Sequence, residues 1–255
     1  MSLRYHAVIL AGGKAPWLKE LTGTDVRCLA RIKGKRLLDY IAEALKASGR
    51  IDGIMLAVSS EGAEQLEGSL PEGVELCLSD TDLPSTCLRA AEALGALENP
   101  RVLFICDDIP MVTGEAINRF LEACDKFPNG DLYYPIIPKA VCEQTYPEAK
   151  RTYGTLKNGT FTGGNMMVVN SLIIPRGQVK AKEIFARRKQ PWKLCSWLGW
   201  GFIFKLLFKQ LDIPACEQRV TELMEMESHC IIAQDASIGM DVDKPDDLLQ
   251  AEKYL

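Results

Sequence analysis

The strongest constraint on the fold is a series of short runs, dominated by apolar residues, that alternate with helix-like segments. The runs are Tyr5–Leu10, Ile54–Val58, Val74–Leu78 and Val102–Cys106. Continuous apolar runs of this length are typical of strands that are buried on both faces. Strands that alternate with helices form mainly parallel sheets, because each crossover helix packs on a face of the sheet. The first half therefore predicts an α/β fold.

The helical segments are marked by their spacing and their ends. Leu37–Ser48 places its apolar residues at helical intervals and is followed by Gly49, which favours termination. Cys87–Leu97 is rich in alanine and leucine. Thr113 is suited to cap a helix that runs through Asp125. These segments supply the helices that cover the predicted sheet.

The second half of the chain is less regular. Asp131–Ile137 predicts a strand, Thr160–Asn170 a loop that enters a strand, and Lys244–Leu255 a short final helix that begins at Pro245. No repeat or Pro/Ser-rich linker divides the sequence. We therefore expect a single α/β domain over residues 1–255: a mainly parallel mixed sheet with helices on both faces and an elaborated C-terminal half.

Composition excludes several functional classes. The formal net charge of −4 provides no global basic field for nucleic acid, and two histidines leave little room for a His-rich metal site or a Ser-His-Asp triad. No apolar stretch is long enough to predict a transmembrane segment. Nine cysteines without a C-x-x-C pair, in a chain without a recognisable signal sequence, predict reduced thiols and a cytoplasmic location.

A glycine loop, Ala11-Gly12-Gly13-Lys14, follows the first predicted strand. Glycines at the end of a strand let backbone N–H groups approach a phosphate, and a nearby lysine adds positive charge. A tight turn without a ligand is an equally good interpretation of this loop alone. The sequence contains neither the G-x-G-x-x-G pattern of dinucleotide-binding folds nor a P-loop.

Acidic residues follow the strand Val102–Cys106 and recur near the C-terminus. Ligands of open α/β sheets bind at the carboxyl ends of the strands, where Asp107 and Asp108 are expected. Adjacent carboxylates there suit Mg²⁺ held together with substrate phosphates, although solvated turn residues are the alternative. Asp241 and Asp243 share one face of an extended segment and offer a second ligand.

A third candidate region lies in the second half. Lys150-Arg151 precedes a predicted hairpin with Asn158-Gly159 at its turn, and Thr162-Gly163-Gly164-Asn165 follows it. The hairpin does not require this second glycine-containing segment. Its hydroxyl and amide groups suit an oxygen-rich substrate such as a sugar phosphate.

Four segments in a fixed order carry a family resemblance. They are Ala7–Gly13 (AVILAGG), Gly34–Tyr40 (GKRLLDY), Asp108-Ile109-Pro110 and Asp241–Leu248 (DVDKPDDL). Together they resemble the nucleotidyltransferases of GT-A-like, Rossmann-like fold, which include sugar-1-phosphate nucleotidyltransferases and MobA-like molybdenum-cofactor cytidylyltransferases. The resemblance covers most of the chain.

The resemblance implies a nucleotide-binding half over residues 1–125 and an acceptor-binding half over residues 126–255. It implies that three groups of residues bind the substrates: Ala11, Gly12 and Gly13 under the nucleotide and its triphosphate, Ser85 and Thr86 at the base, and Thr162, Gly163, Gly164 and Asn165 at the acceptor.

The implied reaction is Mg²⁺-dependent transfer of a nucleotidyl group from an NTP to a phosphorylated small molecule, with release of pyrophosphate. The acceptor would be a sugar, alditol or cofactor phosphate, and family analogy alone favours CTP. Asp108 and Asp243 would hold the metal. Lys14 and Arg27 would hold the departing β- and γ-phosphates, and with Asp108 they form the predicted catalytic set.

The sequence departs from the family pattern at two places. Lys14–Trp17 stands where the family usually has Gly-x-x-Arg after its double glycine, and Val26-Arg27 where it usually has Pro-Lys. Two alternatives therefore stay open: a metal-dependent GT-A glycosyltransferase, which also uses strand-end acids, and a non-catalytic nucleotide-binding regulator.

The most apolar segment of the chain is Leu194–Phe208. One interpretation is a buried helical hairpin, broken at Gly199 and Gly201. The other is an exposed patch that packs against a second subunit in a homodimer or rests on a membrane surface.

Overall fold

The computed structural model describes residues 3–66, 68–96, 101–187 and 199–255. Within these ranges the strands are β1 Tyr5–Ala11, β2 Arg31–Ile32, β3 Lys35–Arg36, β4 Ile51–Val58, β5 Val74–Leu78, β6 Arg101–Cys106, β7 Leu132–Pro138, β8 Gly154–Leu156, β9 Gly159–Gly163, β10 Met166–Asn170 and β11 Ser228–Ile232. The α-helices are α1 Lys19–Thr22, α2 Leu37–Ala47, α3 Ser60–Gln65, α4 Leu83–Ala93, α5 Gly114–Asp125, α6 Lys139–Thr145, α7 Ile174–Arg187, α8 Trp200–Leu207, α9 Ile213–Met224 and α10 Pro245–Tyr254.

Nine of these strands form one mixed sheet. Its first four strands are parallel, in the order β5-β4-β1-β6. β10 pairs antiparallel with both β6 and β7, whereas β11 pairs parallel with β7, and β9 joins β7 to β8 through antiparallel pairs. β2 and β3 form a separate two-stranded sheet. The prediction of a mainly parallel mixed sheet is therefore confirmed.

Alternate residues of β1 face opposite sides of this sheet and pack against different helices. Ala7 and Ile9 belong to a buried cluster that includes residues of α2 and α5. Val8 belongs to a second cluster, which includes Ala90 of α4 and Ile174 of α7. This period of two is the geometry of a strand that is buried on both faces. It confirms that helices cover both sides.

Some element boundaries differ from those predicted. The helix expected at Cys87–Leu97 is α4, which begins four residues earlier because the Asp82 side chain accepts a hydrogen bond from the Ser85 N–H and caps it. α4 ends at Ala93, and Gly95 follows in a left-handed conformation (φ = 62°).

The prediction of a loop that enters a strand at Thr160–Asn170 is right about the strand, which is β10 Met166–Asn170, and wrong about most of the loop, because Gly159–Gly163 forms β9. Gly159 is the first residue of that strand, paired with Leu156, so the hairpin turn is Lys157-Asn158 instead of Asn158-Gly159.

The apolar segment Leu194–Phe208 is described only from Gly199 onward. Gly199 precedes α8, as expected of a break, but Gly201 lies inside the helix and does not interrupt it. Among the described helices, none combines the length and the hydropathy that a membrane span requires.

The close contact between α2 and α5 leads to a stability prediction. A Cβ added at Gly114 would lie 2.6 Å from the carbonyl carbon of Ala47, which is backbone and cannot move aside. We expect Gly114→Ala to destabilise the protein by about 1–3 kcal/mol. At about 2–4 °C per kcal/mol for a chain of this size, its melting temperature should fall by about 2–12 °C.

Gly154→Ala is the matched control, because an added Cβ there meets nothing within 4 Å. A melting temperature for Gly114→Ala equal to that of the control would show that α2 and α5 are not packed in this way.

Candidate active site

The centre of the candidate site is the side chain of Arg27, which lies against the glycine loop. Lys14 and Val26 form an antiparallel bridge, so the loop after β1 runs beside the segment that leads to Arg27. A Cβ added at Gly13 would lie 2.9 Å from Arg27 Nη2. A glycine at position 13 therefore gives the guanidinium room beside the backbone of the loop.

Three carboxylates from distant parts of the chain contact this guanidinium. Arg27 Nε donates to Asp107 Oδ1 at 3.1 Å. Arg27 Nη1 lies 2.9 Å from Asp108 Oδ2 and 3.1 Å from Asp243 Oδ1. The side chains of Asp107 and Asp108 are 0% and 9% exposed, whereas that of Asp243 is 62% exposed. Both predicted metal ligands, Asp108 and Asp243, therefore meet the same nitrogen of Arg27.

Burial dominates the protonation of these acids. It raises the pKa of Asp108 to about 7, although Arg27 opposes the shift. It also raises the pKa of Asp107, again against the effect of Arg27. For Asp243, burial and the neighbouring charge of Asp241 raise the pKa. The Arg27 pKa is itself raised, because the carboxylates outweigh the burial of its charge.

The carboxylates also fit a divalent cation. Asp107 Oδ2 and Asp108 Oδ1 are buried and accept no hydrogen bond from the described residues. Asp108 and Asp243 already direct oxygens at one shared cationic nitrogen. Two carboxylates with substrate phosphates are a common ligand set for Mg²⁺. Within the described ranges, no group of three or more His, Cys, Asp or Glu residues forms a ready-made metal site.

The C-terminal segment is held at the end of β6 by its backbone. The Val242 N–H donates to the Asp108 carbonyl at 2.8 Å. Asp247, in the first turn of α10, accepts hydrogen bonds from the N–H groups of Asp243 and Lys244 at 3.2 and 3.1 Å. Asp247 therefore fixes the backbone that presents Asp243 to the site.

Asp241, the neighbouring acid, has a different partner. It forms an ion pair with Arg151. These two residues line a polar cleft of about 290 Å³, together with Lys150, Thr162 and Asp243. Arg151 Nε is buried and has no hydrogen-bond partner among the described residues.

The predicted acceptor segment is tied to the same end of the sheet. The Gly164 N–H donates to the Pro135 carbonyl at 3.0 Å, and the Asn165 carbonyl accepts from the Cys106 N–H at 2.9 Å. Asn165 Nδ2 is buried without a hydrogen-bond partner among the described residues. The segment is therefore adjacent to the strand end that carries Asp107.

Ser85 and Thr86, the two residues predicted to contact the base, have different hydrogen-bond partners in the structure. The Thr86 hydroxyl lies 2.7 Å from Ser79 Oγ, and a Cβ added at Gly12 would lie 3.7 Å from that same oxygen. Ser85 instead donates to Asp82 at 2.9 Å and accepts from Gln178 at 3.2 Å. Of these two hydroxyls, that of Thr86 is therefore the one bonded to Ser79, the residue beside the glycine loop.

Two further residues near the glycine loop are Ser79 and Lys14. Ser79 was not among the predicted site residues, although it follows the predicted strand Val74–Leu78 and the strand-end rule could have identified it. Lys14, predicted to hold the departing phosphates, lies directly after Gly13, and its ammonium group pairs with Glu61. It is half exposed, at 51%.

A family model now defines the class of protein. The model of the MobA-like NTP transferase domain matches residues 7–153, more than half of the chain. The chain therefore belongs to the MobA-like NTP transferase domain family. This confirms the nucleotidyltransferase class that the four sequence segments indicated.

Individual relatives agree with this assignment. A solved structure from Thermus thermophilus, described as a hypothetical transferase, is 31% identical with a TM-score of 0.83, and the match covers 96% of this chain and 100% of that one. The 3-deoxy-manno-octulosonate cytidylyltransferase of Bdellovibrio bacteriovorus is 29% identical over 104 residues, which are 41% of this chain and 41% of that protein. The match therefore spans less than half the length of this curated relative.

A more distant neighbour agrees in fold. The 4-diphosphocytidyl-2C-methyl-D-erythritol synthase of Anaerococcus prevotii has a TM-score of 0.61 at 11% identity, over 99% of this chain and 96% of that one. At this identity the similarity concerns the fold, and it confirms the predicted architecture.

The raised pKa of Asp108 leads to a pH prediction. In the folded protein this carboxyl has a pKa of about 7, whereas in the unfolded chain it ionises near pH 4. The folded state thus binds more protons between pH 4 and 7, so the free energy of unfolding should fall as pH rises through this window. Asp108→Asn removes that titration.

Urea unfolding at pH 5 to 8 in the presence of EDTA measures the difference. From pH 5 to 8, the wild type should lose at least about 1 kcal/mol more stability than Asp108→Asn. Parallel pH profiles would contradict the assigned protonation of Asp108.

Proposed function

We propose that the protein transfers a nucleotidyl group from an NTP to a phosphorylated small molecule in a Mg²⁺-dependent reaction. An oxygen of the acceptor phosphate attacks the α-phosphorus, the bond from that phosphorus to the bridging oxygen of the β-phosphate breaks, and pyrophosphate leaves. The acceptor phosphate is anionic at neutral pH, so no nucleophilic side chain is required. CTP is the favoured NTP, because the curated relative described above is a cytidylyltransferase.

The observation that carries this proposal is the convergence of Asp108, Asp243 and Arg27 beside the glycine loop. Asp108 and Asp243 contact one nitrogen of Arg27, and Arg27 Nη2 lies against Gly13. A site that joins two polyanions needs cationic groups and N–H donors at one place, together with acids that can hold a metal. The cluster supplies these groups at the carboxyl end of β6.

Each residue has a part in this proposal. The backbone N–H groups of Gly12 and Gly13 bind the triphosphate, and Arg27 neutralises the β- and γ-phosphates as pyrophosphate departs. Lys14 is exposed and can exchange Glu61 for a phosphate. Asp108 and Asp243 would hold Mg²⁺, which when bound would offset the negative charge shared by the α-phosphate and the acceptor.

The acceptor is assigned to the cleft beside this cluster. Lys150, Arg151 and Lys244 line it, and Thr162 contributes a hydroxyl. The pairing of Arg151 with Asp241 holds the guanidinium in place, while its buried Nε–H has no acceptor within the described parts of the chain. These donors suit the phosphate and hydroxyl groups of a sugar or alditol phosphate.

Binding of a nucleotide should stabilise the fold. A ligand at one hundred times its dissociation constant adds about 2.7 kcal/mol to the free energy of unfolding. At about 2–4 °C per kcal/mol, a Mg²⁺–NTP complex should raise the melting temperature by about 5–10 °C. The measurement is thermal unfolding with each of four NTPs and Mg²⁺. If none of them shifts the midpoint, the nucleotide assignment is wrong.

Removal of either proposed metal ligand should abolish most of the turnover. Asp108→Asn and Asp243→Asn should each lower the rate by about 10²–10⁴-fold, since a lost ligand removes several kcal/mol of transition-state stabilisation. The assay is pyrophosphate release from four NTPs with a panel of phosphorylated sugars, alditols and cofactors.

The exposed Asp246 provides the control, because Asp246→Asn removes a nearby negative charge outside the cluster. It should retain wild-type turnover. If Asp108→Asn or Asp243→Asn stays within about threefold of wild type, that residue is not a metal ligand. NTP binding without pyrophosphate release by the wild type would instead identify a non-catalytic regulator.

A further inference from the structure

Helix α8 presents an apolar surface that the proposed reaction does not use. Phe204, Leu207 and Phe208 are 56%, 70% and 71% exposed, and Leu206 between them is 37% exposed. Single exposed apolar residues are ordinary, whereas several large ones within five positions form a patch that usually serves an interaction. We call these four residues the α8 surface.

The part of the sequence around α8 is strongly basic. Residues 171–210 contain nine Lys and Arg residues and one acidic residue, a net charge of +8, whereas the other residues carry a net charge of −12. Two of these lysines, Lys205 and Lys209, are exposed next to the α8 surface. An acidic protein therefore concentrates positive charge in the stretch of sequence that contains α8, the most apolar of its described helices.

The chain that directly follows this surface is hydrogen-bonded to the second half of the protein. Leu211, just beyond α8, is buried, and its carbonyl accepts a hydrogen bond from the Lys157 N–H at 2.8 Å. The Asn158 side chain accepts from the Ile213 N–H at 2.9 Å, where α9 begins. The turn between β8 and β9 thus anchors the chain after α8, on the hairpin that carries Thr162.

We propose that the α8 surface docks the protein on an anionic lipid bilayer. The apolar side chains would enter the boundary between headgroups and acyl chains, and the lysines would meet negatively charged headgroups. Charge favours this occupant over a second copy of the chain. A two-fold symmetric contact through α8 would bring the exposed Lys205 and Lys209 of two copies close to one another, and these like charges would repel.

The test is sedimentation of the full chain, without nucleotide, with phosphatidylcholine vesicles that contain either no anionic lipid or about one-third phosphatidylglycerol. We expect binding to the anionic vesicles, at least about tenfold weaker binding to the neutral ones, and a further weakening at high salt. The triple variant Phe204→Gln, Leu207→Gln and Phe208→Gln should lose the binding. Its melting temperature, compared with that of wild type, establishes that it is folded.

Two controls test whether vesicle binding requires the α8 surface in particular, and not merely exposed apolar or basic residues anywhere on the protein. The variant Leu21→Gln, Leu172→Gln and Leu249→Gln changes three other exposed leucines and should bind as wild type does. Lys205→Glu with Lys209→Glu should lower the affinity about 25-fold or more, at about fivefold per basic residue. Lys46→Glu with Lys126→Glu, at exposed positions on α2 and just after α5, should change it far less.

Three results would overturn the proposal: no binding to any vesicle, equal binding to neutral and anionic vesicles, or wild-type binding by the α8 triple variant. A dimer in solution that the α8 variant disrupts, in a protein that ignores vesicles, would assign the surface to a second copy instead. Because no nucleotide is present, failure here leaves the proposed transfer reaction untouched.

Discussion

The site depends on one guanidinium that meets three carboxylates. Asp107 and Asp108 are almost fully buried at the end of β6, and two adjacent buried carboxylates would repel each other and lose their hydration without a cation nearby. Arg27 supplies that charge and also reaches Asp243. The interaction joins residues that are 80 and 216 positions apart, so it connects the start, the middle and the end of the chain.

The rest of the architecture brings these groups together. Parallel pairing of β1 with β6 puts the glycine loop and the acidic pair at the same edge of the sheet. The hydrogen bond from Val242 to Asp108 and the cap formed by Asp247 hold the C-terminal segment at that edge. The fold thus fixes the charged groups before any substrate arrives, which is the condition for electrostatic stabilisation of a transition state.

Patterns that depend on near neighbours in the sequence predicted the structure well. Apolar strand runs and the Thr113 cap, which accepts from the Ala116 N–H, recur as expected, because strand burial and helix capping are decided within a few residues. Asp108 was predicted as a metal ligand both from its position at the end of a strand and from the family resemblance, whereas the predicted role of Arg27 rested on the resemblance alone. The contact between them could not be read from spacing, since it depends on how distant strand ends meet.

Three further details could not be predicted from the sequence pattern. Ser85 and Thr86 are adjacent in sequence, yet a helix turns successive side chains through about 100°, so that Thr86 bonds to Ser79 beside the glycine loop whereas Ser85 bonds to Asp82 and Gln178. Gly201 suggested a helix break, but α8 continues through it because a single glycine costs only about 1 kcal/mol in a helix. The ion pair between Arg151 and Asp241 could not be predicted from the sequence, because the fold brings these two distant residues together.

The central claim, that the cluster around Arg27 performs nucleotidyl transfer, is tested most directly by following the phosphorus atoms of the NTP. The protein is incubated with Mg²⁺, phosphorylated acceptors and NTP labelled either at the α- or at the γ-phosphate. Transfer as described here places the α-label in a product that also contains the acceptor, and releases the γ-label as pyrophosphate. A γ-label on the acceptor, or an α-label that never joins an acceptor while NTP is consumed, would contradict the account.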